Sequence, residues 1–218
     1  MKFRALGEAR WILGVLAVCW LGSVILIPLQ PIVFTVLSIL VAVMIIFSFA
    51  FFRDPERTPP ADEALAVSPA DGLVMAVEEW DETEFLHTKV KRVIIFLSVF
   101  DVHINRSPIA GEITHSEPFT GIYLDARNPE SSRKNARRTW VIQGPKVTVI
   151  VRQITGAIAR RICPWNVVGD SLERGERFGM IRFGSRTEVD FPIDAEILVK
   201  PGDKVRGGET AVARLLLS

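Results

Sequence analysis

From Trp11 to Phe52 the chain runs for 42 residues without an Asp, Glu, Lys or Arg, and 33 of them belong to the set Ala, Val, Ile, Leu, Met, Phe, Trp, Tyr and Cys. A run of this kind must leave water by burial in a core or in lipid. The other 176 of the 218 residues hold all 26 basic and 25 acidic side chains. The average composition therefore blends a membrane segment with an ordinary polar domain, and a wholly soluble protein, a polytopic transporter or a disordered chain fits poorly. A net charge of +1 gives no general affinity for nucleic acid. Cys19 and Cys163 are too few and too far apart for a disulfide framework or a zinc site.

Residues 11–27 lie at the short end of the spanning range of roughly 17 to 25 residues, and residues 32–52 lie inside it. Between them Pro28-Leu29-Gln30-Pro31 interrupts helical continuation, so two helices in a tight hairpin are expected. Lys2, Arg4 and Arg10 precede the first span and Arg53 and Arg57 follow the second, which places both ends in the cytoplasm at the inner membrane. The competing readings are a cleaved signal peptide, a single span with an interfacial segment, and a soluble core hairpin. The resumption of the apolar run after the prolines disfavours the first. The expected organisation is a membrane anchor over 1–52 and a cytoplasmic domain over 53–218.

Residues 73–77, 90–99, 139–142 and 146–154 are rich in β-branched side chains bounded by turn formers, and read as strands. Ile197 to Glu209, with its Pro201-Gly202-Asp203 turn, has the strand-turn-strand look of lipoyl and biotinyl domains, although their modified lysine is absent. The expected fold is mainly β, a β-sandwich or barrel-sandwich hybrid, behind the helical hairpin. The basic stretch Asp125 to Arg138 reads either as a solvated loop or as a face for anionic headgroups.

A general base near neutral pH must come from few candidates. His87 and His115 read as surface positions, whereas His103 stands where an apolar strand breaks into the turn Asp101-Val102-His103-Ile104-Asn105-Arg106. Asp71 belongs to an ordinary Asp-Gly turn. Phe178 to Pro192 reads as two strand halves hinged at Gly184, which would set Ser185 on a bent backbone.

Taken together, Phe52-Arg53-Asp54-Pro55, Ser68-Pro69-Ala70-Asp71-Gly72, Phe100-Asp101-Val102-His103, Gln153 to Arg161 and Gly179 to Pro192 resemble the phosphatidylserine decarboxylase proenzymes of the short, membrane-anchored bacterial and archaeal type. The resemblance implies a pyruvoyl-dependent carboxy-lyase of phospholipid biosynthesis that cuts itself between Gly184 and Ser185. The products would be a β chain of residues 1–184 and an α chain of residues 185–218, paired as a heterodimer. Ser185 would become the covalent pyruvoyl group that forms a Schiff base with phosphatidylserine, without a metal. His103 and Asp71 would complete the catalytic set, and whether the pair oligomerises further is open. Longer family members carry a second histidine where this chain has Arg106, so their triad does not transfer whole. His103 then either serves both maturation and turnover or shares the work with His115 or water. Arg106, His115, Asn135 and Arg137 are the candidates for headgroup contact, and the active site is expected to open toward the bilayer. Two rivals remain at this point: a membrane-anchored adaptor with no chemistry, and a pyruvoyl enzyme acting on a soluble amino acid.

Overall fold

A computed structural model describes residues 4–157, 160–182 and 185–216, so Gly184 of the expected cut, with Phe183 before it, lies outside the described residues. The chain forms two compact units, residues 1–55 and 56–218.

In the first unit, helix α1 covers Arg4–Ile25 and α2 covers Pro31–Phe51. The first helix begins earlier than its apolar run because Ala5, Leu6, Glu8, Ala9 and Arg10 are good helix formers. Pro31 opens the second, where its missing N–H costs nothing. The buried positions are the small Ala5, Ala9 and Ser23 on α1, and Ser38 and Ser48 with Val41 and Phe51 on α2. The Ser23 and Ser38 hydroxyls meet at 2.8 Å, a polar link of the kind that joins helices in lipid. Both helices are long and apolar enough to cross a membrane. Their outer sides are exposed and apolar, as at Trp11, Ile25, Ile32 and Ile46.

The second unit is mainly β. Its elements are β1 (Leu65–Val67), β2 (Gly72–Glu82), β3 (Thr88–Leu97), β4 (Ile104–Arg106), β5 (Gly111–Phe119), the single-turn α3 (Ser131–Lys134), β6 (Arg137–Gln143) and β7 (Thr148–Ile154). There follow β8 (Arg161–Pro164), β9 (Ser171–Leu172), β10 (Arg177–Arg182), β11 (Ser185–Pro192), β12 (Glu196–Ile197), β13 (Lys204–Val205) and β14 (Ala211–Arg214). Eight strands form one antiparallel sheet in the order β13-β2-β3-β11-β7-β6-β5-β9, joined by two small sheets, β4-β10-β8 and β1-β14-β12. Bulges in β2 near Met75 and in β5 near Thr114 add local bend, and the large sheet curls into a half-barrel. Gly202, at φ 95°, makes the reversal after Pro201.

Alternation on the central strands sorts the side chains between two faces. Val93, Ile95 and Leu97 of β3, Val189 and Phe191 of β11, Val149 and Val151 of β7, and Trp140 and Ile142 of β6 fill the apolar core. Each such side chain contributes roughly 1.5–3 kcal/mol when fully buried. The opposite face carries Arg92, Arg152, Arg186, Glu188 and Asp190, and these are buried too. Residues 120–136 cover that face: Ser132 donates to Glu188 at 2.6 Å, Arg133 stacks on Trp80, and Arg127 lies over Phe96.

Candidate active site

β10 ends at Arg182 in one sheet and β11 starts at Ser185 in another, so the chain changes sheets where the hinge at Gly184 is expected. Ser185 is held on one side by β3, opposite Leu97, and Arg186 is held on the other by Ile154 of β7. The Ser185 side chain is fully buried, and its Oγ makes no hydrogen bond among the described residues. A buried hydroxyl without a partner is costly, of order 1–3 kcal/mol, and is what a reserved nucleophile would look like.

The β3–β4 connection brings His103 to the same hinge. Its backbone carbonyl accepts the Ile181 N–H at 3.1 Å, and the next residue, Ile104, pairs with Met180. From there β4 runs away from the hinge alongside β10, while β11 leaves the hinge through the large sheet. Two residues along each strand, Asn105 Nδ2 donates to Thr187 Oγ1 at 3.0 Å. His103 precedes Asn105 by two residues as Ser185 precedes Thr187, so this bond ties together the segments that lead from them. The imidazole is fully buried, and its Nδ1 lies 2.9 Å from the Asp101 carbonyl, which can only accept. Neutral His103 is therefore the Nδ1–H tautomer, with the basic lone pair on Nε2. A tight turn supports this arrangement, since Asp101 Oδ2 accepts the Ser98 N–H at 2.8 Å.

Asp71 precedes the strand on the other side of β3. Leu73 pairs with Phe96 and Phe96 with Arg186, so the Asp71 backbone stands about 10 Å from that of Ser185, two strand spacings away. Gly72 permits the approach, since a Cβ there would meet the Phe96 carbonyl oxygen at 2.2 Å. The carboxylate accepts from the Gly207 N–H at 2.8 Å and from Arg57 at 2.9 Å, and Arg57 also holds Glu209 at 2.6 Å. Burial pushes the Asp71 carboxyl above its ordinary range; Gly207 and Arg57 oppose the shift, Asp101 adds to it, and Arg106 opposes it. The charges that act on Asp71 include Asp101 and Arg106, which flank His103 in the chain, and its own hydrogen bonds go to Arg57 and Gly207.

The four candidates for headgroup contact are spread out. Arg106 is buried and donates to the Gly175 carbonyl at 3.0 Å, and its N–H binds the Pro69 carbonyl. His115 lies three strands from β11, and its row runs through Val141 and Ile150 to Asp190, five positions beyond Ser185. It sits against Phe85 with Nε2 3.2 Å from Glu117. Asn135 is fully buried and bonds the main chain at Leu124, twice, and at Thr155, so it pins the covering loop. Arg137 stacks on Phe119 and pairs with Glu84 at 3.2 Å, on the face occupied by Arg186.

Residues that sequence reasoning missed link these parts. Trp140 Nε1 donates to Gln153, Gln153 to Asn105, and Asn105 to both Thr187 and the Pro69 carbonyl, a polar chain through the core. The available signal was a polar residue two positions after each of His103 and Ser185, namely Asn105 and Thr187.

A sequence model of the family described as phosphatidylserine decarboxylase matches residues 44–213. Similar proteins named phosphatidylserine decarboxylase proenzyme include one from Symbiobacterium thermophilum, 48% identical over 180 residues that make up 82% of this chain and 84% of that protein. One from Pelobacter propionicus is 45% identical over 82% of this chain and 81% of its own length. One from Carboxydothermus hydrogenoformans is 42% identical over 82% and 84% respectively.

Proposed function

The chain belongs to the phosphatidylserine decarboxylase family, and we propose that it cuts itself between Gly184 and Ser185 and then converts phosphatidylserine to phosphatidylethanolamine and carbon dioxide at the cytoplasmic face of the inner membrane. Membership removes the adaptor without chemistry. The observation that carries the proposal is the buried, unpartnered Ser185 Oγ at the start of a central strand, with His103 brought to the same hinge.

In maturation, Ser185 Oγ bonds to the Gly184 carbonyl carbon as the amide C–N bond breaks, and the hydroxyl proton passes to the departing nitrogen. With Nδ1–H directed at the Asp101 carbonyl, Nε2 is the basic nitrogen of neutral His103 and would carry that proton. Loss of the Ser185 α-proton then breaks the Cβ–O bond, releasing residues 1–184 as a carboxylate. Water converts the dehydroalanine left at position 185 into a ketone and ammonia. Residues 185–218 remain as the second chain, and residues 53–184 complete the domain around it.

The pyruvoyl carbonyl, once formed, supplies an electron sink for the pair left when carbon dioxide departs. A position that begins as a buried serine without a polar partner suits it. During turnover His103 donates the proton that replaces the lost carboxylate, and the same Nε2 serves both stages. Arg57 and the buried Arg106 favour the ionised form of Asp71 against the burial that raises its pKa.

The lipid substrate is supported by the end of the large sheet at which β11 starts. Phe100, Ile122 and Tyr123 are exposed there, and Arg160 stacks on Tyr123. Aromatic and apolar tips flanked by arginine suit a headgroup interface. Two apolar helices on the same chain would keep the enzyme with an insoluble substrate.

The deciding measurement is a denaturing mass spectrum. The wild-type chain should lose its 24.3 kDa species in favour of residues 1–184 and a small fragment that resists Edman sequencing, while Ser185→Ala stays whole. An intact wild-type chain overturns self-processing. Carbon dioxide release from phosphatidylserine vesicles, and none from free serine, checks the substrate.

A further inference from the structure

We infer that the buried charged ladder on the outer face of β11 is a register clamp that keeps position 185 in place once the chain is cut. The inference rests on the self-processing reading above. Arg186 Nε donates to Glu188 Oε1 at 2.7 Å, and Ser132 Oγ donates to the same oxygen. Arg92 grips both Asp190 oxygens, at 2.6 and 2.8 Å, and lies 3.3 Å from Glu188 Oε2. Arg152 donates to Asp190 and, at 2.7 Å, to Glu82. Glu82 in turn receives the Phe85 and Leu86 N–H groups.

The cut divides this ladder. Arg186, Glu188 and Asp190 belong to the downstream product, while Glu82, Arg92, Ser132 and Arg152 belong to the upstream one. The downstream members carry a net −1, from one arginine and two carboxylates, and the upstream members a net +1, from two arginines and one carboxylate. All six charged side chains are at most 6% exposed.

Buried ion pairs are weak sources of net stability, because desolvation offsets their attraction, and their best-attested use is to select one arrangement. Here the arrangement is strand register. Before the cut, β11 continues covalently into the hinge; afterwards residue 185 is a free strand end in the middle of a sheet. A slip by one residue is blocked by the apolar core, since it would turn Arg186, Glu188 and Asp190 inward. A slip by two keeps the faces, and on the core side it is resisted by the shapes of Val189 and Phe191 and by the one hydrogen bond from Asn105 to Thr187. The outer sequence of one positive and two negative charges does not repeat, so that slip sets Glu188 where Arg186 belongs and leaves Arg92 and Arg152 mispaired. Glu188 and Arg186 are therefore positioning residues for the new chain end, acting through the strand and not on substrate.

The test compares cut and uncut backgrounds in the full chain purified in detergent, by amide hydrogen exchange over residues 186–190. Glu188→Gln is expected to lower protection at least tenfold in the self-cut protein and less than threefold in the Ser185→Ala background. With phosphatidylserine as substrate, kcat should fall while KM holds. Ser132→Ala, which removes a single donor from the half-buried rim, should give a smaller effect of the same sign, and it carries the test if Glu188→Gln does not fold. Equal loss of protection in both backgrounds would mean that the ladder is only structural and would overturn the clamp, as would wild-type protection in the cut variants. A wild-type chain that is never cut is a separate outcome, visible in the mass spectrum before any exchange is measured, and it removes the clamp together with self-processing.

Discussion

Asn105 donates to Thr187 across 3.0 Å, and this one bond relates the strand that leaves His103 to the strand that leaves Ser185. The donor is itself oriented by Gln153, which is oriented by Trp140, so the relation is built into the core rather than into a surface loop.

Asn105→Ala should therefore disturb both stability and maturation. It strands the Gln153 amide and the Thr187 hydroxyl in the core, at a cost of about 1–3 kcal/mol per unsatisfied group. A lower denaturant midpoint and a slower appearance of the small chain on denaturing gels are expected. Thr187→Val, which removes one acceptor and keeps the shape, should show the same signs at smaller size. Normal cutting rates in both variants would remove Asn105 from the positioning of the site.

His103→Gln tests the base assignment. Loss of a positioned acid or base typically lowers a rate by roughly 10²–10⁴-fold. Self-cutting, followed by mass spectrometry, and lipid decarboxylation should both fall into that range, with partial rescue of cutting by added imidazole. If only one of the two steps falls, a second group shares the work, and the placement of His115 in the Asp190 row leaves water as the candidate.

For Asp71 the sign follows from burial. The folded protein binds this proton more tightly than the unfolded chain does, so the ionised carboxylate costs stability at neutral pH. That cost shrinks as the pH falls through the raised folded value and is gone below the unfolded one. Asp71→Asn should melt at a slightly higher temperature than wild type at pH 7, and the gap should close in acid where the wild-type carboxyl is protonated. Arg57 limits the damage because Glu209 still holds it at 2.6 Å. A variant that melts lower at pH 7 would show that the pairing with Arg57 outweighs desolvation.

Much of this architecture was legible in the chain. Residues 73–77, 90–99, 139–142 and 146–154 fall within or largely overlap β2, β3, β6 and β7, because β-branched runs between turn formers leave few alternatives. The two halves around Gly184 appear as β10 and β11. The outer face of β11 was harder to read. Arg186, Glu188 and Asp190 at alternate positions look like a solvent face, and only the tertiary cover from residues 120–136, with Arg92 and Arg152 on the adjoining strands, turns them into a buried ladder. The basic loop likewise reads as solvated, although Ser131 and Asn135 within it are fully buried. Short strands such as β4, at three residues, carry too little periodicity to register.

The covering loop offers a further prediction through Asn135. Its side chain closes the loop against Leu124 at both ends and against Thr155, using both amide roles. Asn135→Ala should loosen residues 120–136, raising their amide exchange and lowering stability by roughly 1–3 kcal/mol. Asn135→Asp keeps the acceptor and loses the donors, so it should fall on the same side. An unchanged exchange rate in the loop would show that Ser132 and the arginine stacks hold it alone.

The hairpin prediction concerns a polar contact in an apolar setting. The Ser23 and Ser38 hydroxyls each lie within hydrogen-bond distance of a carbonyl in their own helix, Trp20 and Phe34, and 2.8 Å from each other, with one proton apiece to share among these acceptors. Their mutual bond therefore uses the proton that one hydroxyl would otherwise give to its own helix, and cross-helix bonds of this kind are worth about 0.6 kcal/mol on average in membrane proteins. The Ser23→Ala, Ser38→Ala and double variants form a cycle whose coupling energy, measured by helix-pair dissociation in detergent titrations, should be close to that value. A coupling indistinguishable from zero would assign the pairing of α1 and α2 to the close approach of small side chains, with Ala5 and Ala9 as the next positions to enlarge.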